Sequence, residues 1–206
     1  MAERLTMDAQ YAILKKDPVM RKMIARSGPL KPARKSGNLY YTLLRSVAGQ
    51  QLSVKAADTI FKRFESLFGS EGPVPENVIK CSEVRLRSVG FSLQKAGYIK
   101  SIAVHAEAGW LEGRTLSRME DEALIKHLTA IKGVGIWTAQ MVMMFAMQRQ
   151  DVFPVDDLGI RLSMLQHYGL KLEGAALKKW MHATAEKWRP CRTLACRHLW
   201  LARDTA

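Results

Sequence analysis

The sequence predicts an all-α fold arranged as two small helical lobes. Three observations carry this. Apolar residues recur at helical spacing, as in Leu39, Leu43 and Val47 or Leu124, Leu128 and Ile131, which gives each helix one face to bury. No segment alternates apolar and polar residues over the length of a strand. The 206 residues suffice for one domain, or two small ones, at roughly 150 residues per domain. Apolar residues make up 48%, enough for a core and against wholesale disorder.

The elements follow in order. A charged amphipathic stretch over 7–27 opens the chain, and Ser27-Gly28-Pro29-Leu30-Lys31-Pro32 ends it, because Gly and Pro interrupt helices. The helix of Leu39, Leu43 and Val47 runs into Gly49-Gln50-Gln51-Leu52. Ser53 is a good N-cap for the next helix, whose Ile60, Phe64, Leu67 and Phe68 share a side and which Gly69 ends. After a loop to Pro75, two short helices at 76–80 and 82–88 precede a longer one at 93–107. Ser117 or Asp121 starts another, which leads into Lys132-Gly133-Val134-Gly135 and a helix from Ile136 to Met147. A loop at 148–155 is followed by helices at 157–168, 173–187 and 191–202. The breaks at 28–36 and 148–155 predict a central lobe of 36–147 and a second lobe of 1–35 with 148–206, with a cleft between them.

Composition narrows the partners. Lys and Arg number 32 against 19 Asp and Glu, a formal charge of +13. That excess suits a polyanion, nucleic acid before an anionic membrane. No apolar run approaches the roughly 18 residues that cross a bilayer, and the first residues hold no uninterrupted apolar segment of the secretory kind. A membrane-surface role lacks a basic amphipathic helix standing apart from the fold. Cys81, Cys191 and Cys196 are too few and too scattered for a disulfide framework, and too few for a cluster held by four cysteines. The expectation is a cytoplasmic monomer with reduced thiols.

The strongest local signal is the connection Ile131-Lys132-Gly133-Val134-Gly135 between two helices. Its glycines permit positive φ and close approach. Amides of Val134, Gly135 and their neighbours at a helix start suit a phosphate, and Lys132 adds charge. The same glycines also serve an ordinary helical hairpin. No His/Cys grouping has zinc spacing. Met143, Met144 and Met147 read, with Met141, as flexible core filler.

These residues sit in a wider pattern. Leu128-Thr-Ala-Ile-Lys-Gly-Val-Gly-Ile-Trp-Thr-Ala-Gln-Met-Val142, followed by Val152-Phe-Pro-Val-Asp-Asp-Leu158, resembles the helix-hairpin-helix DNA glycosylase superfamily, and within it the 3-methyladenine DNA glycosylase II branch. Val47-Ala-Gly-Gln-Gln-Leu-Ser-Val-Lys-Ala56 is similar to the family's Gly-Gln-x-x-Ser helix start. Trp188-Arg-Pro-Cys-Arg-Thr-Leu-Ala-Cys-Arg-His-Leu-Trp200 is similar to its C-terminal signature. The resemblance spans about residues 38–202. It implies a two-lobed all-α fold without an iron–sulfur cluster, in a chain too short for the N-terminal β domain of the larger bacterial members.

The resemblance also implies roles. Asp157 would be the catalytic carboxylate at the cleft, with Asp156 as helix cap or supporting group. Iron–sulfur and oxoguanine relatives would instead favour Asp156. Trp137 stands where strand-cleaving relatives carry a nucleophilic Lys, so the implied enzyme hydrolyses without lyase activity. Trp200 would be the main stacking residue in the base pocket, with Trp137 beside it and Met141 where larger members have a Tyr. Tyr40, Tyr41 and His198 are further pocket candidates without a motif match. Gln51 would wedge into the gap left by a flipped base, and Ser53 would touch a phosphate. Lys132, Gly133, Val134 and Gly135 would grip the DNA backbone. The carbonyls of Thr129, Ile131 and Val134 would hold a monovalent cation, and no cofactor is otherwise required. Lys31, Arg34 and Lys35 either touch DNA or solvate a loop. The expected reaction is excision of alkylated purines, 3-methyladenine and 7-methylguanine, from damaged duplex DNA. The rivals are the same fold acting on uracil, hypoxanthine or ethenoadenine, and a hairpin DNA-binding protein without chemistry. A bacterial protein would act at the nucleoid, a eukaryotic one in the nucleus.

Overall fold

A computed structural model describes residues 4–31 and 38–204. Among the described residues helices and their connections form the whole architecture, and no strand occurs. The all-α expectation therefore holds. No helix among them is long and apolar enough to cross a membrane. The chain divides into two compact units, Ser36–Val142 and Met1–Lys35 with Met143–Ala206.

The chain begins in the second of these. The stretch expected as one helix over 7–27 is two, α1 (Met7–Leu14) and α2 (Pro18–Ser27). Asp17 makes the break: its Oδ1 accepts the N–H groups of Val19 at 2.8 Å and Met20 at 3.3 Å. Pro18 follows at the first helical position, where its missing N–H costs nothing. Leu14 and Met20 are fully buried.

The central unit starts with α3 (Leu39–Gly49) and α4 (Val54–Ser66). Leu43, Leu44 and Val47 have no exposure, as the spacing of α3 requires. Ser53 caps α4, its Oγ accepting the Ala56 N–H at 3.3 Å. The buried face of α4 centres on Phe61 and Phe64; Phe61 was not among the expected core positions. The Phe64 ring lies 5.7 Å from Phe61 and 5.4 Å from both Phe68 and Phe91. Each such ring contributes roughly 1.5–3 kcal/mol on burial.

Short helices α5 (Pro75–Lys80) and α6 (Glu83–Ser88) lead to α7 (Leu93–Glu107), which packs against α3, α5 and α6. Ser117 ends a short helix, α8 (Gly113–Ser117), and Asp121 begins α9 (Asp121–Thr129). The hairpin joins α9 to α10 (Ile136–Met141). The single helix expected over 136–147 is interrupted, since Val142–Ala146 form a π-helical turn. The units divide after Val142, ahead of the lobe limit expected at 147.

The chain then completes the first unit with α11 (Leu158–His167), α12 (Gly174–Glu186) and α13 (Arg192–Asp204). Helix α13 packs against both α11 and α2. Three carboxylates of this unit each take donors from the C-terminal segment. Asp17 Oδ2 accepts the Trp188 indole at 3.0 Å together with the Tyr168 hydroxyl at 2.6 Å. Asp151 accepts Arg189 at 2.6 Å and Arg192 at 2.7 and 3.0 Å. Asp157 accepts Trp200 at 2.8 Å. The C-terminal signature, residues 188–200, thus ties together α2, the 148–155 loop and the start of α11.

Candidate active site and nucleic-acid interface

The loop leading to the paired carboxylates is held on both sides of its backbone. Thr193 donates its N–H to the Gln150 carbonyl at 3.0 Å and its hydroxyl to the Arg149 carbonyl at 2.7 Å, and accepts the Val152 N–H at 3.1 Å. The Asp157 N–H then bonds the Pro154 carbonyl at 3.0 Å. A loop with its backbone groups this fully used delivers the next residues in one orientation.

The two carboxylates differ. Asp156 points to solvent and pairs with Lys178 at 2.5 Å, its side chain 63% exposed. Asp157 is 8% exposed. Its Oδ1 accepts the Ile160 N–H at 2.8 Å and the Trp200 Nε1–H at 2.8 Å. Asp157 is therefore the N-cap of α11, which corrects the expectation that Asp156 takes that place. The physical reason is the loop: the Asp157 N–H bond to Pro154 turns its side chain back over the first turn, and Asp156 faces outward to α12.

Trp200 is gripped from several directions. Its ring stacks on Phe145 at 5.9 Å, and Gly159 lies at its edge. A methyl on Gly159 would come within 2.9 Å of Trp200 Cδ1 and 3.1 Å of Asp157 Oδ1. A helical glycine immediately after Asp156-Asp157-Leu158 was a readable signal of close approach, and the sequence reading passed over it.

In the central unit the hairpin exposes Lys132, Gly135, Ile136 and Trp137, the last 41% exposed. Gly133 has φ +94°, and its missing Cβ would fall 2.2 Å from the Tyr98 ring. Val134 corrects an expectation: its N–H bonds the Ile131 carbonyl at 3.0 Å, so that amide is committed to the turn rather than open to a phosphate. Its side chain is buried. Gln51 and Ser53 lie exposed in the turn between α3 and α4.

Gln51 adopts φ +60°, in the left-handed region that non-glycine residues seldom visit. Its neighbour Gln50 donates to the Gly133 carbonyl at 3.1 Å and to Thr138 Oγ1 at 3.4 Å. The turn between α3 and α4 and the hairpin are therefore bonded to each other. Nothing in the sequence signalled that link, since it joins residues 83 positions apart.

Of the remaining aromatic candidates, His198 and Tyr40 are buried and Tyr41 is partly exposed. His198 is buried between Ser27, at 3.0 Å from Nδ1, and the Tyr11 hydroxyl, at 3.4 Å from Nε2. Burial, with Arg197 nearby, pulls its pKa down to about 4. Tyr41 bonds Glu65 across α3 and α4; burial, then that carboxylate, push its phenol up to about 12. Tyr40 is buried on α3, which raises its pKa by desolvation. Met141 is buried as well. Lys31 is exposed, while Arg34 and Lys35 lie outside the described residues. The three cysteines are buried free thiols.

An all-helical chain with a Gly-x-Gly hairpin, a polar turn bonded to it and a buried, doubly bonded aspartate at a helix start has the features of a helix-hairpin-helix protein. Residues 44–190 match the family described as HhH-GPD superfamily base excision DNA repair protein, and the chain belongs to it. A relative named DNA-3-methyladenine glycosylase 1, from Schizosaccharomyces pombe, is 35% identical over 188 residues, covering 89% of this chain and 82% of the relative. A solved structure described as the S. pombe 3-methyladenine DNA glycosylase (Mag1) in complex with abasic DNA superposes with TM-score 0.84 at 34% identity, over 94% of this chain and 95% of that one. A DNA-3-methyladenine glycosidase from Bacillus halodurans superposes with TM-score 0.81 at 36% identity, over 94% and 88% of the two chains.

Proposed function

We propose that this protein is a monofunctional DNA glycosylase. It flips alkylated purines, 3-methyladenine and 7-methylguanine, out of duplex DNA and hydrolyses their N-glycosidic bond. The observation that carries this reading is Asp157: a buried carboxylate whose Oδ1 is fixed by two N–H donors, in a chain of the base excision repair family. Relatives named for 3-methyladenine support the substrate class.

Breaking the bond between sugar and base builds positive charge on the deoxyribose. A carboxylate held in place before the reaction stabilises that charge without reorganising, typically the largest single contribution to catalysis. An alkylated purine is already cationic, so it leaves without help from a general acid. Selection falls to aromatic surfaces that attract a cation, the role assigned to Trp137 and Trp200 with Met141 at the rim. An indole at position 137 is no nucleophile for a Schiff base, so water is the acceptor and an abasic site the product.

Lys132, Gly133 and Gly135 grip the backbone through charge, close approach and the remaining hairpin amides. Gln51 fills the gap and Ser53 meets a phosphate. The hairpin carbonyls of Thr129, Ile131 and Val134, all neutral oxygen donors, would hold a monovalent cation. Such an ion would add positive charge beside a phosphate. Action takes place in the compartment that holds the DNA, bacterial nucleoid or eukaryotic nucleus.

The test is base release from methylated duplex DNA by wild type and Asp157→Asn, with the freed bases identified by chromatography. Wild type should release 3-methyladenine and 7-methylguanine and leave strands that break only on later alkali treatment. Asp157→Asn should retain DNA binding and lose on the order of 100-fold or more in rate. Release of uracil, hypoxanthine or ethenoadenine alone would move the substrate class. Activity lost in Asp156→Asn but kept in Asp157→Asn would move the catalytic residue. No release, with binding intact, would leave a DNA-binding protein without chemistry.

A further inference from the structure

Lys95 sits in an electrostatically awkward place. It is the third residue of α7, whose N-cap Ser92 accepts the Lys95 N–H at 3.2 Å. A cation there opposes the positive end of its own helix dipole, where Asp and Glu are favoured. Its ammonium explains the placement: Nζ donates to the Gln50 carbonyl at 2.6 Å and the Ala48 carbonyl at 3.0 Å. Those are carbonyls at the C-terminal end of α3, which no further helical turn satisfies. Burial pulls the Lys95 ammonium below its ordinary range.

The turn so held is the strained one. Gln50 and Leu52 bond back to Val47 at 3.3 Å and to Gly49 at 3.2 Å. Between them Gln51 takes its left-handed conformation, which is unfavourable for any residue with a Cβ. Such a conformation persists only where surrounding groups over-determine it. Here three do. Lys95 fixes the carbonyls of Ala48 and Gln50, the Gln50 amide bonds Gly133, and Tyr98 packs against Gly133. Lys95 and Tyr98 are three positions apart on α7 and thus share a face.

We propose that Lys95 is a positioning residue for the Gln51 wedge: by clamping the carbonyls of Ala48 and Gln50 it holds Gln51 in its inserting conformation, and α7 locks that turn and the hairpin into one rigid DNA-reading edge. The inference rests on the glycosylase reading for the wedge role of Gln51. Lys95 itself need not touch DNA.

The experiment compares single-turnover release of 7-methylguanine from duplex and from the same strand unpaired, where no gap opens for a wedge to fill. The variants are Lys95→Met, Gln51→Ala and the double. Lys95→Met should slow duplex excision about tenfold, the scale of a coupling between residues in contact, and leave the single-strand rate unchanged. The double variant should be no slower than Gln51→Ala. Amide exchange at Leu52 should rise in Lys95→Met while Ile99 and Ile102 stay protected. Equal losses on both substrates, or additive effects in the double, would overturn the proposal. So would a salt-dependence slope reduced by roughly one, the mark of a lost phosphate contact. Should Lys95→Met fail to fold, Lys95→Gln serves in the same comparison. If wild type releases no alkylated base, the glycosylase reading fails, and exchange at Leu52 decides separately whether Lys95 holds the turn.

Discussion

Trp200 Nε1 donates to Asp157 Oδ1 at 2.8 Å, sharing that oxygen with the Ile160 N–H, also at 2.8 Å. One carboxylate oxygen therefore both caps α11 and ties α13 to it, and the orientation of Asp157 depends on an indole 43 residues away in sequence. Trp200→Phe keeps an aromatic surface against Phe145 and removes the donor. Excision should fall about tenfold, the value of one hydrogen bond to a charged group. The loss should appear in kcat with KM little changed; a loss confined to KM would make Trp200 a base-stacking residue only.

Gly159→Ala tests the same arrangement from the other side. The new methyl meets Trp200 at 2.9 Å and Asp157 Oδ1 at 3.1 Å, so the indole must withdraw. Overpacking of this kind costs about 1–3 kcal/mol. Urea denaturation should show that loss, and the remaining folded enzyme should resemble Trp200→Phe in kcat.

Gly133→Ala is the more severe change. The residue has φ +94°, and a Cβ would overlap the Tyr98 ring at 2.2 Å. Destabilisation of roughly 3 kcal/mol is expected, combining steric displacement with backbone strain. Adding Tyr98→Ala should relieve the overlap and restore only part of the stability, because the left-handed strain remains. Full restoration in denaturant titrations would show that φ contributes nothing here.

Lys132 is exposed on the hairpin. Lys132→Glu should weaken binding to undamaged and damaged duplexes by the same factor and lower the slope of log K against log salt by about one or more. A selective effect on damaged DNA would instead place Lys132 near the base.

His198 sets an acid limit on stability. Its pKa is held down to about 4, first by burial and then by Arg197, against roughly 6.5 in an unfolded chain. Between those values the unfolded chain binds a proton that the folded one refuses. The stabilisation is present above about pH 6.5 and is lost as pH falls toward 4, by roughly 3 kcal/mol in all. Melting temperature followed over that window should fall in wild type and fall less steeply in His198→Gln.

Much of the site was legible because its parts are local. The Gly-x-Gly hairpin, the Ser53 cap and the Asp156-Asp157 pair are each contiguous, and their chemistry follows from residue type and spacing. The amphipathic stretch at the start was legible as helical, and Asp17-Pro18, a cap followed by a first-position proline, carried the signal for a second helix within it. The π-helical turn at Val142–Ala146 carries the same apolar composition as the helix expected there, so periodicity had no means to mark it.

The sequence by itself determined the all-α class, the hairpin and the basic character, and it supplied the short set of candidate site residues. It did so because helix periodicity, turn chemistry and net charge are properties of neighbours in the chain. Only the tertiary structure decided which carboxylate is buried, that Asp157 rather than Asp156 caps α11, and that Trp200 bonds it. It alone withdrew His198, Tyr41 and the Val134 amide into internal hydrogen bonds, and set Lys95 against the carbonyls of the turn after α3. Those outcomes depend on which donor meets which acceptor across distant segments. Burial makes each unsatisfied group costly, so packing, not spacing, selects the partners.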